Sequence, residues 1–220
     1  MRNADGGIDC YSGSQFPGQD KAAIAKICGV DPANVTVNVQ LAGGSFGRRA
    51  QFGSPYMQEA AEVFKASGMN RAVKHVWTRE DDIRGGFYRP IYVHRLRGAL
   101  DGDGNIVAWD QKIAGQSILG KKRDEADRTS LEGASDLPYA IPNIRVEGYN
   151  TDVGVPILWW RSVGHTHTGF AVETFIDELL EKAGADPVEG RLALLKDHPR
   201  ESSVLRKAAE LAEAAGTAPE

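Results

Sequence analysis

The sequence predicts an α+β fold, a mixed sheet with packed helices. Three observations carry that expectation. Two β-patterned runs flank Asp101-Gly102-Asp103-Gly104, residues that supply the positive backbone angles of a tight hairpin. Strand-like and helix-like stretches are mixed along the chain. Helix-patterned stretches cluster toward the C-terminal end. This arrangement favours α+β over a doubly wound parallel sheet.

The elements follow in order. Ile8-Asp9-Cys10-Tyr11 reads as a short strand after a polar start. Pro17 suits a first helical turn, and a helix over Gly18–Cys28 would end at Gly29. Asp31-Pro32 starts a turn, and Val35–Leu41 alternates as a half-buried strand. A glycine-rich loop, Ala42–Gly47, comes next. Ser54-Pro55 resembles a cap with proline at the first helical position, opening a helix to Ala66. Tyr56, Met57, Ala60, Ala61 and Phe64 share one face of it.

Val73–Trp77 reads as a strand, and Thr78-Arg79-Glu80-Asp81 as a capped helical turn. Glu80, Asp81 and Asp82 then form a charge cluster at a helix N-terminus. Ile91–Leu100 and Ile106–Ile113 form the hairpin strands, and Gly115–Leu137 is expected to be a polar surface excursion. Ile144–Tyr149 is a further strand. Phe170–Lys182 is a helix with Phe175, Ile176, Leu179 and Leu180 on one side. Asp186-Pro187 opens another to about Leu195. Glu201–Ala215 closes the chain as an amphipathic helix, its apolar side running from Val204 to Ala215. Residues 1–198 are expected to form one partial domain, and 199–220 a terminal helix and tail.

Composition narrows the function classes. The 220 residues carry a formal net charge of -4. That argues against general nucleic-acid affinity, while leaving room for a local basic phosphate pocket. Cys10 and Cys28 are the two cysteines, with no CxxC pair or Cys/His cluster to hold zinc or an iron–sulfur cluster. Cys28 reads as a buried thiol, and a Cys10–Cys28 disulfide stays open. No apolar window is long enough to span a membrane. The start carries neither a signal core nor a twin-arginine segment. As written the chain is expected in the cytoplasm; an upstream signal would redirect it to the periplasm.

The sharpest local feature is Leu41-Ala42-Gly43-Gly44-Ser45-Phe46-Gly47-Arg48-Arg49. Glycines permit left-handed backbone angles and close approach of main-chain donors to a ligand. Arg48 and Arg49 could reach an anion or stabilise the loop. The P-loop ending is absent, and the glycine spacing is not the dinucleotide fingerprint. His165 and His167 flank Thr166 like a metal pair, and alternation would put both on one side of an extended segment. Without nearby cysteine or carboxylate ligands, polar lining is the better reading. His75 and His94 lie in expected strands and read as structural.

Gly43-Gly44-Ser45-Phe46-Gly47 resembles the Gly-Gly-Gly-Phe-Gly loop of the xanthine oxidase/aldehyde oxidase family of molybdenum hydroxylases. The following Arg48-Arg49 is similar to the isoquinoline 1-oxidoreductase beta-subunit branch. Further matches occur in family order over most of residues 8 to 196. They include Ser14-Gln15 with its helix, Trp77–Ile83, Phe87-Tyr88-Arg89-Pro90, Trp160-Arg161-Ser162-Val163-Gly164 and Phe170–Pro187. The resemblance implies the fold of the first molybdenum-cofactor-binding domain. It also implies an oxidoreductase that hydroxylates an aldehyde or N-heteroaromatic carbon with water-derived oxygen. The cofactor would be molybdenum–molybdopterin, in its cytosine dinucleotide form, only partly contacted by this chain. The partners implied are a small 2Fe-2S electron-transfer subunit, the remainder of the large subunit and a small-molecule substrate. Neither nucleic acid nor membrane insertion is expected, and an exposed docking surface leaves room for self-association.

By that resemblance Gln15 hydrogen-bonds an oxygen ligand of the metal, work that suits an uncharged amide. Gly43, Gly44, Ser45, Phe46 and Gly47 form the loop that approaches the metal centre, without ligating it directly. Arg161 stands on the substrate side, where a cation stabilises negative charge. Trp160 and Val163 form the substrate wall, valine replacing a position often aromatic in xanthine oxidases. Ser45 replaces a family glycine and would cost about 1 kcal/mol or more if that position needs a positive φ. The family's catalytic base, a glutamate in a downstream Gly-Glu segment, has no match here. Three readings stand: part of a hydroxylase subunit, a non-catalytic module that keeps the fold, or an unrelated anion-binding domain.

Overall fold

The computed structural model describes residues 1–216; the tail beyond Gly216 in the 199–220 segment lies outside the described residues. The chain divides into two compact units. The first comprises Met1–Arg89 with Val155–Arg161, and the second Pro90–Gly154 with the chain from Ser162 onward.

In the first unit, β1 (Ile8–Ser12) and β2 (Val35–Val39) pair in parallel, Ile8 opposite Val35 and Ser12 opposite Val39. Parallel neighbours need a crossover. Helix α1 (Pro17–Cys28) supplies it, with proline in its first turn and Gly29 at φ 68° ending it. A single 3-10 turn, Pro32–Asn34, capped by Asp31, leads into β2. Helix α2 (Pro55–Ala66) places Met57, Ala61 and Phe64 on one face, against Ile8, Ile24, Ala25, Cys28 and Val35. That spacing of four and three residues is the helical repeat. Both cysteines are free thiols, which removes the disulfide alternative.

Two expectations fail here. Ser54 stands at the N-cap of α2, but at φ 52° its hydroxyl makes no capping bond and is buried without a partner. Pro55 restricts Ser54 away from the right-handed region, and the turn takes a left-handed angle instead. Val73–Trp77 is not a strand. Its alternation is right, but a strand exists only through a hydrogen-bonded neighbour. His75 therefore lies outside any strand and bonds Glu59 at 3.1 Å. The capped turn does form: α3 (Arg79–Arg84) opens on a Thr78–Asp81 capping box, with Glu80, Asp81 and Asp82 in its first turn. Tyr88 N donates to Pro156 O at 2.9 Å and Leu158 N to Tyr88 O at 3.1 Å. These bonds draw Val155–Arg161 into the first unit.

In the second unit, β3 (Tyr92–Leu100) and β4 (Ile106–Gln116) form the antiparallel hairpin, and β5 (Ile144–Thr151) joins β4 in parallel, order β3-β4-β5. The sheet is mixed, as the sequence predicts. Helix α4 (His165–Ala183) buries Val172, Ile176, Leu179 and Leu180 with Ile106 and Trp109. Gly98 makes room on β3: a Cβ there would lie 2.8 Å from Leu179 Cδ1. Helix α5 (Pro187–Leu194) is capped by Asp186, and its Arg191 bonds both Glu173 and Asp177 of α4.

The stretch Gly115–Leu137 is more than a surface excursion. Gly115 and Gln116 finish β4, and Ser117, Ile118, Asp127, Ser130 and Ala134 are buried. Asp127 organises it by accepting from Ser117 Oγ (2.6 Å), Ser130 Oγ (3.0 Å), Leu119 N (3.2 Å) and Thr129 (2.6 Å). A buried carboxylate with such donors replaces an apolar core. Burial alone would raise the Asp127 pKa, but these donors outweigh it and hold it below the ordinary carboxylate value. Helix α6 (Pro199–Ala214) forms, yet none of its residues is buried, and Val204 and Leu211 stay exposed. Leu205 alone of its apolar side packs on the core.

Candidate functional site

The site is built where β1 leads into α1. Ser14 Oγ donates to the buried Asp20 carboxylate and accepts from Phe16 N at 3.0 Å. These bonds fix the residues on either side of Gln15, whose side chain is exposed. Gln15 Oε1 accepts from Ser45 Oγ at 2.7 Å, Gly47 N at 3.2 Å and Arg49 N at 3.3 Å. Backbone N–H groups can only donate, so the carboxamide oxygen must face the loop. Its Nε2 then points away and donates to no group among the described residues. Sequence reading missed the Ser14–Asp20 lock; the one signal for it was an acid in the first turn of α1.

The loop bends through Gly44 at φ 134°, Phe46 at φ 54° and Gly47 at φ 97°. The condition under which Ser45 would be strained is not met: the positive angle lies at Phe46. Ser45 is unstrained, and its hydroxyl also accepts from Arg49 N at 3.0 Å. Phe46 is about half exposed, at 55%. Its carbonyl accepts from Arg161 N at 2.7 Å. Gly47 backs onto the same segment: a Cβ there would lie 3.4 Å from Trp159 Cδ1 and 3.6 Å from Arg161 N. Gln15, the Gly43–Gly47 loop and Arg161 thus meet in one cluster of the first unit. Gly43 faces open space, with no other atom within 4 Å of an added Cβ. The Arg161 side chain is exposed, and Trp160 is half-buried with the Arg89 guanidinium 5.8 Å from its ring centre. Val163 belongs to the second unit, at φ 42° beside Ser162 at φ 72°. A β-branched residue at such an angle is a genuine outlier.

Arg48 and Arg49 are occupied within the first unit. Arg48 donates to Gln51 Oε1 at 2.6 Å and lies over Tyr56 (4.6 Å) and Phe87 (5.2 Å). Arg49 lies 5.2 Å from the same Tyr56 ring. These stacked cations brace the loop against α2. A separate groove of about 800 Å³ runs along β1, lined by Cys10, Tyr11, Met57, Phe64, Val73 and Trp77. It is mainly apolar, with Lys74, His75 and Arg79 also on its lining.

The histidines are corrected by the helix start. His165 and His167 open α4 rather than an extended segment, so they do not share a side. His165 is exposed, 3.8 Å from Glu132. His167 stacks on Tyr92 at 3.8 Å and bonds His94 at 2.9 Å. His94 in turn bonds Gln111 at 3.0 Å, and Gln111 accepts from the Trp109 indole at 3.1 Å. The indole is donor-only, so it sets the polarity of the whole chain. Gln111 donates to His94 Nδ1, and His94 Nε2 donates to His167 Nδ1. His167 Nε2 carries the last proton, turned toward the Ser130 backbone without a hydrogen bond of ordinary geometry. Burial first, and His94 second, push the His167 pKa down to about 4. Burial lowers His94 as well. Among the described residues no group of His, Cys, Asp and Glu could hold a metal ion.

Comparison with known proteins decides the family. The molybdopterin cofactor-binding domain family matches residues 1–194. This chain belongs to that family. It is 30% identical over 219 residues to the beta subunit of isoquinoline 1-oxidoreductase from Brevundimonas diminuta, covering 96% of this chain and 27% of that protein. It is 34% identical over 191 residues to a probable xanthine dehydrogenase subunit of Bacillus subtilis (strain 168), covering 85% and 25%. Quinoline 2-oxidoreductase from Pseudomonas putida 86 shares the fold at TM-score 0.71 and 22% identity, over 86% of this chain and 24% of that one. The chain therefore spans about a quarter of the length of these relatives. The α+β fold is that of the molybdenum hydroxylases.

The residues present fit a molybdopterin group. The cluster offers an outward amide donor at Gln15 and a bare main chain at Gly43. An uncharged donor set suits the oxygen acceptors of such a cofactor. Among the described residues no helix is long and apolar enough to cross a membrane.

Proposed function

We propose that this chain forms one wall of the molybdopterin pocket in the large subunit of a molybdenum hydroxylase. The enzyme would act on an aldehyde or N-heteroaromatic carbon, with oxygen from water. The observation that carries the reading is the convergence of Gln15, the Gly43–Gly47 loop and Arg161 on one cluster, in a chain of this family. When bound, the cofactor supplies the redox chemistry. The chain's own residues bind and orient. Gln15 Nε2 donates to an oxygen acceptor without adding charge. Gly43, Gly44, Ser45, Phe46 and Gly47 bring the main chain close. Arg161 offers a cation to negative charge that develops on the substrate. Trp160 would line the substrate side within the first unit; the strained Ser162-Val163 backbone supports a functional position at Val163, taken by itself, in the second.

The finer assignments are part of the same proposal. They are the cytosine dinucleotide form, a 2Fe-2S electron-transfer subunit and a proton-accepting glutamate from another part of the enzyme. Residues 1–198 would act as one cofactor-binding domain with α6 appended. Without the glutamate, this chain alone should not turn over an aldehyde or N-heterocycle, since such a base contributes about two to four orders of magnitude in rate.

The test is molybdenum and pterin content of the chain purified with the products of its neighbouring genes. The expected result is co-purifying metal and pterin, reduced by Gln15→Ala while the fold persists. Absence of both from a folded wild-type assembly would overturn the reading.

A further inference from the structure

We infer that Ser45 is a positioning residue. Its hydroxyl locks the Gln15 carboxamide with the oxygen inward, so that the loop presents Nε2 outward as a fixed donor. The inference rests on the proposed cofactor site for its purpose, but not for its geometry. Gln15 is exposed and has three rotatable side-chain bonds, so nothing in its packing holds it. Its oxygen receives two main-chain donors at 3.2 and 3.3 Å, both at the long end of the hydrogen-bond range. The short contact is the one from Ser45 Oγ, 2.7 Å. That hydroxyl also accepts from Arg49 N at 3.0 Å, so Ser45 donates and accepts at once. Hydrogen bonds linked in this way reinforce one another. Glycine at this position could make neither side-chain bond. Serine carries no backbone penalty here either, because the left-handed angle lies at Phe46.

The consequence is chemical polarity. A rotated carboxamide would turn its NH2 toward the N–H groups of Gly47 and Arg49, which repels. With the oxygen held inward, the atom that meets Nε2 has to be an acceptor. Ser45 would thus act through Gln15, never touching the cofactor itself.

The experiment uses the full chain labelled with nitrogen-15, in which the Gln15 side-chain NH2 signals are assigned by their loss in Gln15→Leu. In the wild type these protons should be shifted from free-glutamine values, with a relaxation signature close to that of the backbone. Ser45→Ala should shift them toward the free values, with the ratio of inward to free carboxamide falling about fivefold, the share of one ordinary hydrogen bond. Ser45→Thr should keep the wild-type signals. If Ser45→Ala disturbs the backbone spectrum, Ser45→Gly removes the hydroxyl in a second background, with the residue of the Gly-Gly-Gly-Phe-Gly loop. Wild-type values retained in a folded Ser45→Ala or Ser45→Gly variant would overturn the inference, as would free-glutamine values in the wild type. Molybdenum retention by the assembly is scored separately, so failure of the cofactor reading is distinguishable from failure of the Ser45 assignment.

Discussion

The two units handle their polar groups in opposite ways. In the second, polar side chains are turned inward onto one another: Trp109, Gln111, His94 and His167 form one chain, and Asp127 collects donors from its own loop, while Asp110 Oδ1 and His167 Nε2 stay buried without a hydrogen bond of ordinary geometry. In the first, polar groups converge near the surface and leave capacity over. Gln15 Oε1 is saturated while its Nε2 is not, and a long apolar groove runs beside β1. A unit whose polar groups bond mainly within it is built to persist. One that leaves an oriented donor exposed is suited to receive a ligand. The contrast yields separate expectations for stability and for binding.

The largest expected effect breaks the second unit. Trp109 is 1% exposed, meets Phe175 edge-on at 5.1 Å and opens the polar chain. Trp109→Ala should cost about 3–5 kcal/mol by chemical denaturation, from the cavity and the unpaired Gln111 oxygen. A loss under about 1 kcal/mol would show that this core is not closed.

Acid should sharpen the same contrast. The His167 pKa lies at about 4 against an ordinary 6.5, so between those values the unfolded chain binds a proton the folded chain refuses. Stability contributed by this histidine is full above pH 6.5, falls as pH drops toward about 4, and changes no further below it. The slope should approach about 1 kcal/mol per pH unit. Asp127, held below the usual carboxylate value, adds a loss of the same sign at still lower pH. His167→Phe keeps the stack on Tyr92 and should flatten the slope between pH 6.5 and about 4; an unchanged slope would move the effect elsewhere.

In the first unit the backbone strain is local. Phe46→Gly relieves φ 54° and should leave stability unchanged or raise it by about 1 kcal/mol, while lowering molybdenum retention. A marked destabilisation would mean that the exposed ring packs more than its 55% exposure indicates. The smallest effect belongs to α6. Val204→Ser and Leu211→Ser should each stay within about 0.5 kcal/mol, because both are exposed. A larger loss in denaturation would reveal that this face is covered in solution.

Much of this was legible in the sequence because it depends on neighbours in the chain. Asp101-Gly102-Asp103-Gly104 dictates its hairpin through backbone angles, and Gly29 and Asp186 punctuate their helices by local bonds. The glycine loop and Gln15 could be singled out by resemblance, but their contact could not be derived from spacing. Val73–Trp77 alternates like a strand, yet whether alternation becomes a ladder depends on what lies beside it. Asp127 looked like surface because polarity along the chain does not reveal where four donors will gather. Likewise Ser45 could be recognised as a departure from glycine, but which loop residue takes the positive angle is decided only in the fold, at Phe46. The sequence by itself determined turns, caps and helical faces, which are set by angles and periods over a few residues. Only the tertiary structure decided which side chains share a hydrogen bond across 30 residues, as Ser45 and Gln15 do, because that bond exists only once the chain has brought the two together.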